Sequence, residues 1–267
     1  MNVSLNLDNY SEARSAYSYV PARLVLSSNR EPDLVFGNLA LSTSCPTVMD
    51  WQNRDDAGIF SSLELDDFHR RLLHGADGEL LHGLLSAVFW GFASGADGRL
   101  HPGRARARAS WIINGKSGTI PQLPQEILRI LKESFEHLNA GDLQNALTTM
   151  VKIQHLGVSF ASKVLMFFAP DRAVVYDSII YSLLRDSDDM ALRSIAVDPA
   201  RRGGSSLSRQ ASAYASWCHH CTDLARALER AGMSWTDWNG KRVSHWRAVD
   251  VERAFFVLGG RAKRGSS

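Results

Sequence analysis

Residues 153–184 constrain the fold of this chain more than any other stretch, and their sequence is IQHLGVSFASKVLMFFAPDRAVVYDSIIYSLL. The pattern predicts a helix that ends in a short Leu-Gly-Val turn at 156–158, followed by a second, apolar helix. A loop containing Pro170 comes next, and Asp177 stands directly before the amphipathic segment 178–184. We therefore expect Asp177 near the N-cap of a third helix. This order predicts a loop that returns one carboxylate toward the turn between two helices.

Apolar residues at helical spacing predict a mostly α fold for the rest of the chain. The predicted helices carry the apolar positions within 68–89, 127–138, 143–150, 214–228 and 251–258. Gly141 is placed to end one of these helices, and Asp142 is placed to cap the next.

Other stretches lack helical periodicity. The polar stretch 185–208 predicts a flexible connection. Residues 1–60 predict an irregular segment packed on a helical domain at 61–267, and no convincing set of strands is expected beyond a short hairpin near the N-terminus.

Composition narrows the class of protein. The chain has 267 residues, is 45% hydrophobic and 22% charged, and carries a net charge of +2, so only local clusters of charge can indicate a nucleic-acid partner. Three cysteines in a chain of this length favour a reducing compartment over a disulfide scaffold. We see no signal peptide and no apolar run of about 20 residues. A soluble, cytoplasmic protein that does not enter the membrane is expected.

The turn has a plausible physical use. Consecutive backbone amides at Leu156, Gly157, Val158 and Ser159, with the positive end of the following helix, can hold a phosphate. Gly157 allows close approach of a ligand and a positive φ. Ser162 and Lys163 begin the following helix and are placed for further phosphate contacts. Such contacts ignore base sequence.

The residues resemble the helix-hairpin-helix DNA glycosylases. The HLGVS segment at 155–159 resembles their hairpin, and Val-Tyr-Asp at 175–177 resembles their catalytic aspartate motif. The resemblance is firm over 142–185, with the hairpin at 142–170, and is nearest to the 8-oxoguanine-glycosylase-like branch. More loosely, the Trp217 helix and residues 246–253 resemble bacterial proteins of that branch, some of which are similar to anti-phage glycosylases that excise glucosylated hydroxymethylcytosine.

The resemblance implies two helical lobes around a DNA cleft, extrusion of one nucleotide, and an ionised Asp177 that stabilises positive charge on the sugar. Two positions depart from the family pattern. Ser159 replaces the second glycine of the hairpin, and Ala161 stands where bifunctional members carry a catalytic lysine. Lys163 lies about 200° further around a helix. A monofunctional enzyme is therefore expected, with Lys163 as the alternative catalytic residue if the register of the hairpin shifts.

Basic and aromatic residues extend the predicted DNA site, although each cluster also suits a solvated helix face above core tryptophans. Arg104 and Arg108 belong to one basic segment, while Lys241 and Arg242 belong to another near Trp238 and Trp246. The candidates for the base pocket, which buried core positions would equally explain, are Trp90, Trp111 and Tyr176.

No metal site is predicted at Cys218-His219-His220-Cys221, because Cys221 falls on the apolar stripe of its helix and only Cys45 remains elsewhere. No cofactor is required by the implied reaction, and an alkali ion at the hairpin carbonyls would be compatible with it. The expected partner is double-stranded DNA with a modified base, bound by a monomer.

The substrate and the activity have alternatives. One alternative is excision of glucosylated hydroxymethylcytosine in anti-phage defence, and the other is repair of 8-oxoguanine or alkylated bases. A non-catalytic DNA-binding module in which Asp177 only caps a helix, and an all-α interaction protein, are the other hypotheses.

Overall fold

The computed structural model describes residues 7–28, 31–45, 61–93, 99–201 and 206–259. Its elements in chain order are α1 (Leu7–Ala16), β1 (Arg23–Leu26), β2 (Leu34–Phe36), β3 (Leu39–Ser44), α2 (Ser62–Leu73), α3 (Asp77–Ala93), α4 (Pro102–Asn114), α5 (Pro124–Asn139), α6 (Leu143–Met150), α7 (Val158–Phe168), α8 (Ser178–Arg185), α9 (Met190–Ser194), α10 (Ser206–Arg230), β4 (Trp235–Thr236), β5 (Arg242–Val243) and α11 (Ala248–Leu258).

The prediction of a mostly helical chain is confirmed. Two helix boundaries agree with the signals in the sequence. α5 ends at Asn139, before Gly141, whose φ is 83°. At the start of α6, the Asp142 side chain accepts a hydrogen bond from the Asn145 amide at 3.0 Å. The SGADG sequence at 94–98 predicts a turn after α3, and these residues lie outside the described ranges.

The structure differs from the sequence prediction in two respects. It contains more strands than the short N-terminal hairpin that was expected: β2 and β3 form such a hairpin, β1 pairs with β3 to give the order β1-β3-β2, and β4 pairs with β5. The polar stretch after α8 also contains the short helix α9, whose N-cap Asp189 accepts from the Ala191 amide at 2.7 Å. Residues 202–205 lie outside the description. Strands β1, β2, β4 and β5 have four residues or fewer, too few to show a clear alternating pattern in the sequence.

The chain divides into two compact units. The first unit consists of Met1–Ser18, Glu133–Val151 and Gly157–Ser267, and the second unit consists of Tyr19–Lys132 and Lys152–Leu156. No helix within the described ranges has the length and apolar character needed to cross a bilayer.

A buried charge network joins α1 to α11 in the first unit. The Asp250 carboxylate is fully buried and accepts from Arg14 Nε at 2.9 Å and from Arg247 Nε at 2.8 Å. The Arg14 guanidinium also lies 3.6 Å from the ring centroid of Trp235. Burial would raise the pKa of Asp250, but Arg247 and Arg14 hold it well below its usual value. This network fixes α11 against α1, and α11 also packs on α10.

The second unit packs the three-stranded sheet on α3. The Ser86 hydroxyl accepts from the Leu24 amide at 3.0 Å, and the His82 Nε2 bonds to the Leu24 carbonyl at 2.7 Å. His69 is fully buried beneath this contact, which lowers its pKa to about 4. Helix α3 packs in turn on α2 and α4, so the strand and the helices share one core.

Candidate active site

Asp177 forms the N-cap of α8. Its Oδ1 accepts hydrogen bonds from the amides of Ile179 at 3.0 Å and Ile180 at 3.2 Å. These bonds satisfy two of the amides that a helix leaves without partners in its first turn. The cap fixes the carboxylate in one orientation through Oδ1 and leaves Oδ2 for another partner.

Lys163 on α7 meets this second oxygen. Its Nζ lies 3.0 Å from Asp177 Oδ2, and the two side chains are 8% and 19% exposed. The ammonium also lies 5.2 Å from the ring centroid of Phe160. The structure therefore brings together the two residues that the sequence analysis named as catalytic candidates, in a partly buried ion pair at the mouth of α8.

The charge of Asp177 is maintained in this setting. Burial by itself would raise the pKa of the carboxyl, but the Lys163 ammonium and the amides of Ile180 and Ile179 outweigh it and hold the pKa below its usual value. Asp177 is consequently an anion at neutral pH, with one edge still open to solvent. Such a group can stabilise positive charge that develops on a bound ligand.

The loop before Asp177 is held from three directions. The Tyr176 amide donates to the Ser162 hydroxyl at 2.9 Å, and Trp217 Nε1 on α10 donates to the Val175 carbonyl at 3.1 Å. At the other end of the loop, the Val249 amide of α11 donates to the Pro170 carbonyl at 3.1 Å. These contacts place the carboxylate by several elements rather than by the loop alone.

Two predicted contacts with DNA are corrected by this arrangement. Ser162 is fully buried, and its hydroxyl donates to the Ser159 carbonyl at 3.0 Å while it holds Tyr176, so it is not available to a phosphate. The Tyr176 ring is also fully buried, and its hydroxyl donates to the Val197 carbonyl at 2.8 Å, so it is a core residue rather than a wall of a base pocket. Both residues help to hold the loop that precedes Asp177.

Glu252 is a buried carboxyl near this pair that the sequence analysis does not single out. It is 5% exposed on α11, and burial raises its pKa to about 8, with the charge of Asp177 adding to the effect while Arg253 and Lys163 oppose it. It is therefore largely protonated at neutral pH. Its only sequence signal is an acidic residue beside Asp250 and Arg253 in a helix that is mainly apolar, which does not indicate what lies opposite.

The turn between α6 and α7 presents backbone rather than side chains. The side chains of Leu156 and Val158 are buried, at 3% and 6% exposure, whereas Gly157 is exposed. Gly157 allows a positive φ but does not adopt one: its φ is −76° and its ψ is 175°, and the positive φ of 63° occurs at His155. Gly157 is the N-cap of α7 without a side-chain cap, and in the described chain no acceptor is bonded to the amides of Val158 and Ser159.

The remaining predicted residues separate into exposed and buried positions. In the second unit, Arg104 and Arg108 are exposed on α4, with the Arg108 guanidinium 4.1 Å from the centroid of the half-buried Trp111 ring. Trp90 is 3% exposed and its ring centroid lies 4.3 Å from that of Tyr19, so its expected place in a base pocket is corrected to a core position.

Lys241 and Arg242 lie on the exposed β4–β5 hairpin of the first unit, where Arg242 Nε donates to the Ser234 hydroxyl at 2.6 Å. Cys218 and Cys221 are fully buried on α10. Across the ranges that the structure describes, no group of three or more His, Cys, Asp or Glu side chains is arranged to hold a metal ion.

Comparison with known protein families gives one match. A family model described as "OGG: Putative 8-oxoguanine DNA glycosylase OGG-like protein" matches residues 64–256, a range that contains both Lys163 and Asp177. Comparisons with curated proteins and with solved structures give no significant match.

Proposed function

Because this chain belongs to the OGG-like 8-oxoguanine DNA glycosylase family, we propose that it excises a modified base from double-stranded DNA and leaves an abasic site. The observation that carries the proposal is the ion pair between Asp177 and Lys163 at the N-terminus of α8. We further propose that the enzyme acts as a monomer in the cytoplasm, which sedimentation and cell fractionation would test.

Asp177 has the properties that cleavage of an N-glycosidic bond requires. As the bond between the base and C1′ breaks, positive charge spreads over C1′ and the ring oxygen of the sugar, and a fixed anion stabilises it. The glycosidic bond cannot be reached in a stacked duplex, so the nucleotide must first leave the helix. In the proposed reaction, water adds to C1′, the base departs with the bonding electrons, and the proton released by water is transferred to solvent or to the base.

The turn before α7 is the proposed site for the DNA backbone, in the manner of a helix-hairpin-helix motif. Support comes from the exposed Gly157 and from the amides of Val158 and Ser159, which lie at the positive end of α7 and have no bonded acceptor among the described residues. An alkali ion on the turn carbonyls would extend this proposal. The exposed cations Arg104, Arg108, Lys241 and Arg242 are proposed as further phosphate contacts.

The fate of the sugar distinguishes two candidate mechanisms. The first is a monofunctional hydrolase that leaves an intact abasic site, as Ala161 at the family's lysine position implies. The second is favoured by a specific observation: Ala161 is fully buried, whereas Lys163 Nζ lies 3.0 Å from Asp177. In that mechanism, Lys163 loses a proton to solvent or to the departing base, and its amine attacks C1′ as the base leaves with the bonding electrons. The C1′–O4′ bond then breaks to give a Schiff base, and loss of a C2′ proton with departure of the 3′-phosphate cleaves the strand.

Borohydride trapping separates these mechanisms. Reduction of a Schiff base would link the protein covalently to DNA, and Lys163→Gln would abolish the linkage. A monofunctional enzyme gives no linked product, and alkali is then needed to break the strand at the abasic site.

We propose glucosylated hydroxymethylcytosine as the preferred base and anti-phage defence as the role. The support is the resemblance of residues 246–253 to bacterial proteins that include such glycosylases, together with the hydrogen-bonding groups that a sugar offers for selection. The alternative is repair of 8-oxoguanine, the base in the family's description, or of alkylated bases.

Competition between matched duplexes tests the choice of base, with mass spectrometry of released bases as the measurement. Faster release of 8-oxoguanine would favour repair. Release of no base from any of these duplexes, with DNA binding retained, would favour the non-catalytic binding module.

A further inference from the structure

One face of α11 is packed against the loop that ends at Asp177. The Val249 amide donates to the Pro170 carbonyl at 3.1 Å, where this loop begins. The Phe255 ring centroid lies 5.0 Å from that of Trp217, which holds the same loop farther along through its hydrogen bond to the backbone. This face of α11 is therefore part of the support that places the Asp177 carboxylate.

Glu252 lies on this face of α11. Residues three apart share one side of a helix, so Glu252 stands between Val249 and Phe255 on the side that contacts the loop. At the end of the same face, Gly259 packs so closely on Leu183 of α8 that a Cβ there would collide with the leucine side chain. Glu252 is only 5% exposed. Its carboxyl is thus enclosed between α11 and the elements that hold Asp177.

Five elements bring charged or titratable groups toward Glu252. These groups are Arg14 on α1, Lys163 on α7, Asp177 at the start of α8, Cys221 on α10 and Arg253 on α11 itself. Two of the cations already serve Asp250, since Arg14 Nε lies 2.9 Å and Arg253 Nη1 3.9 Å from its Oδ1. The Cys221 thiol is neutral, because burial raises its pKa well above the ordinary value. Lys163 is therefore the cation in this group that Glu252 and Asp177 can share.

A carboxyl at this position has a cost that an apolar side chain would avoid. Burial penalises the charged form of Glu252 and raises its pKa to about 8, so the carboxyl exchanges its proton close to neutral pH. Groups with strongly shifted pKa values are common at active sites, where their charge serves the reaction. Together with its place on the face that supports Asp177, this property favours a role for Glu252 in the chemistry of the site.

We propose that Glu252 is a positioning residue that governs how far Lys163 neutralises Asp177, and hence how much of the aspartate charge is available to the sugar. This inference rests on the proposed base excision. With Glu252 protonated, the Lys163 ammonium compensates the charge of Asp177, which is the arrangement in the structure. When Glu252 releases its proton to solvent, the ammonium has two carboxylates to compensate, and the three groups together carry one net negative charge. That charge stabilises the cation that forms at C1′ as the base leaves.

The test measures single-turnover base release by wild-type and Glu252→Gln protein between pH 7 and 9. The wild-type rate should rise about 10-fold, because the ionised fraction of a carboxyl with a pKa of about 8 rises by that factor. Glutamine has a similar size but cannot ionise, so the rate of the variant should change less than about twofold over this range. Glu136→Gln, the same change at an exposed glutamate of the first unit, is the control and should keep the wild-type profile. DNA affinity should be the same for all three proteins, and thermal melting checks that they fold.

A second measurement does not depend on bond cleavage. The amides of Ile179 and Ile180 donate to Asp177 Oδ1, so their NMR resonances report the charge around this carboxylate in the absence of DNA. In wild-type protein both resonances should shift with a midpoint near pH 8, and in the Glu252→Gln variant this shift should be absent.

Two results would overturn the role of Glu252: base release with the same pH dependence in wild-type and Glu252→Gln protein, or amide shifts that titrate equally in both. If wild-type protein releases no base but the amide shifts titrate only when Glu252 is present, the proposed function fails and the control of the ion pair by Glu252 stands.

Discussion

Replacement of Asp177 by asparagine isolates the charge of the proposed catalytic carboxylate. In the structure Oδ1 caps α8 and Oδ2 faces Lys163. Asparagine is as good an N-cap as aspartate, so its carbonyl oxygen can keep the bonds from the Ile179 and Ile180 amides. The substitution therefore removes the negative charge while it retains the start of the helix.

Two separate losses are expected. Loss of a fixed charge that stabilises the transition state typically lowers the rate by about 10²–10³. Folding stability should also fall, because Lys163, with only 8% of its side chain exposed, keeps its positive charge without an anionic partner. A hydrogen bond to a charged group contributes about 1.5–3 kcal/mol, which sets the expected decrease in the free energy of unfolding.

Single-turnover base release, DNA affinity and urea unfolding should be measured on the same preparations. Affinity should stay nearly unchanged, because the turn before α7 is untouched. Asp189→Asn is the matched control: Asp189 caps α9 through the same kind of bond and is exposed, so the change should affect neither rate nor stability. The double variant Lys163→Gln with Asp177→Asn removes the unpaired cation and should recover stability without recovering the rate.

The rate of the Asp177→Asn variant decides the assignment. Base release close to the wild-type rate would refute the role of Asp177 in the chemical step. Recovery of the rate together with stability in the double variant would show that the single variant fails for structural reasons. In that case the aspartate would be a helix cap paired with a lysine and nothing more.

Three further changes have defined outcomes. Gly157→Val should weaken binding to duplexes of all sequences about equally. A Cβ at Gly157 meets nothing within 4 Å inside the protein, so the added side chain would project toward the phosphates without disturbing the fold. An affinity that falls for one sequence only would contradict this prediction. Asp250→Ala should lower the free energy of unfolding by about 3–5 kcal/mol, because Arg14 is left fully buried without its anion. Urea unfolding measures this change. A decrease below 1 kcal/mol, roughly the contribution of an exposed ion pair, would argue against the network. Glu252 has a pKa of about 8 in the folded protein against 4.5 as its ordinary value, so the folded state keeps a proton that the unfolded chain releases, and stability should fall as pH rises through this range by up to about 1.4 kcal/mol per unit. Glu252→Gln should remove the contribution of Glu252 to the slope between pH 6.5 and 8. His69, whose pKa falls from 6.5 to about 4 on folding, contributes equally to both proteins, so identical slopes for the two proteins would disprove the prediction.

Local signals in the sequence were enough to locate the main helices and one end of the site. The glycine after α5, the aspartate before α6 and Asp177 before α8 each act on backbone groups within four residues, so their roles follow from the order of residues alone. Beyond the short hairpin near the N-terminus, the strands and α9 were not predicted, since pairing with distant residues and a few capping bonds stabilise them more than any periodic pattern does.

The partners of the site residues were decided by tertiary structure. Counting along a helix placed Lys163 away from the family's lysine position, yet its long side chain reaches Asp177, fourteen residues away. Ser162 and Trp90 looked available for DNA but are buried, and Glu252 acquired its raised pKa from groups on other elements. A sequence specifies what each side chain can do over the few residues that a helix turn or cap spans. Burial, desolvation and the choice of a charged partner depend on which distant elements pack around it, and only the folded chain fixes those.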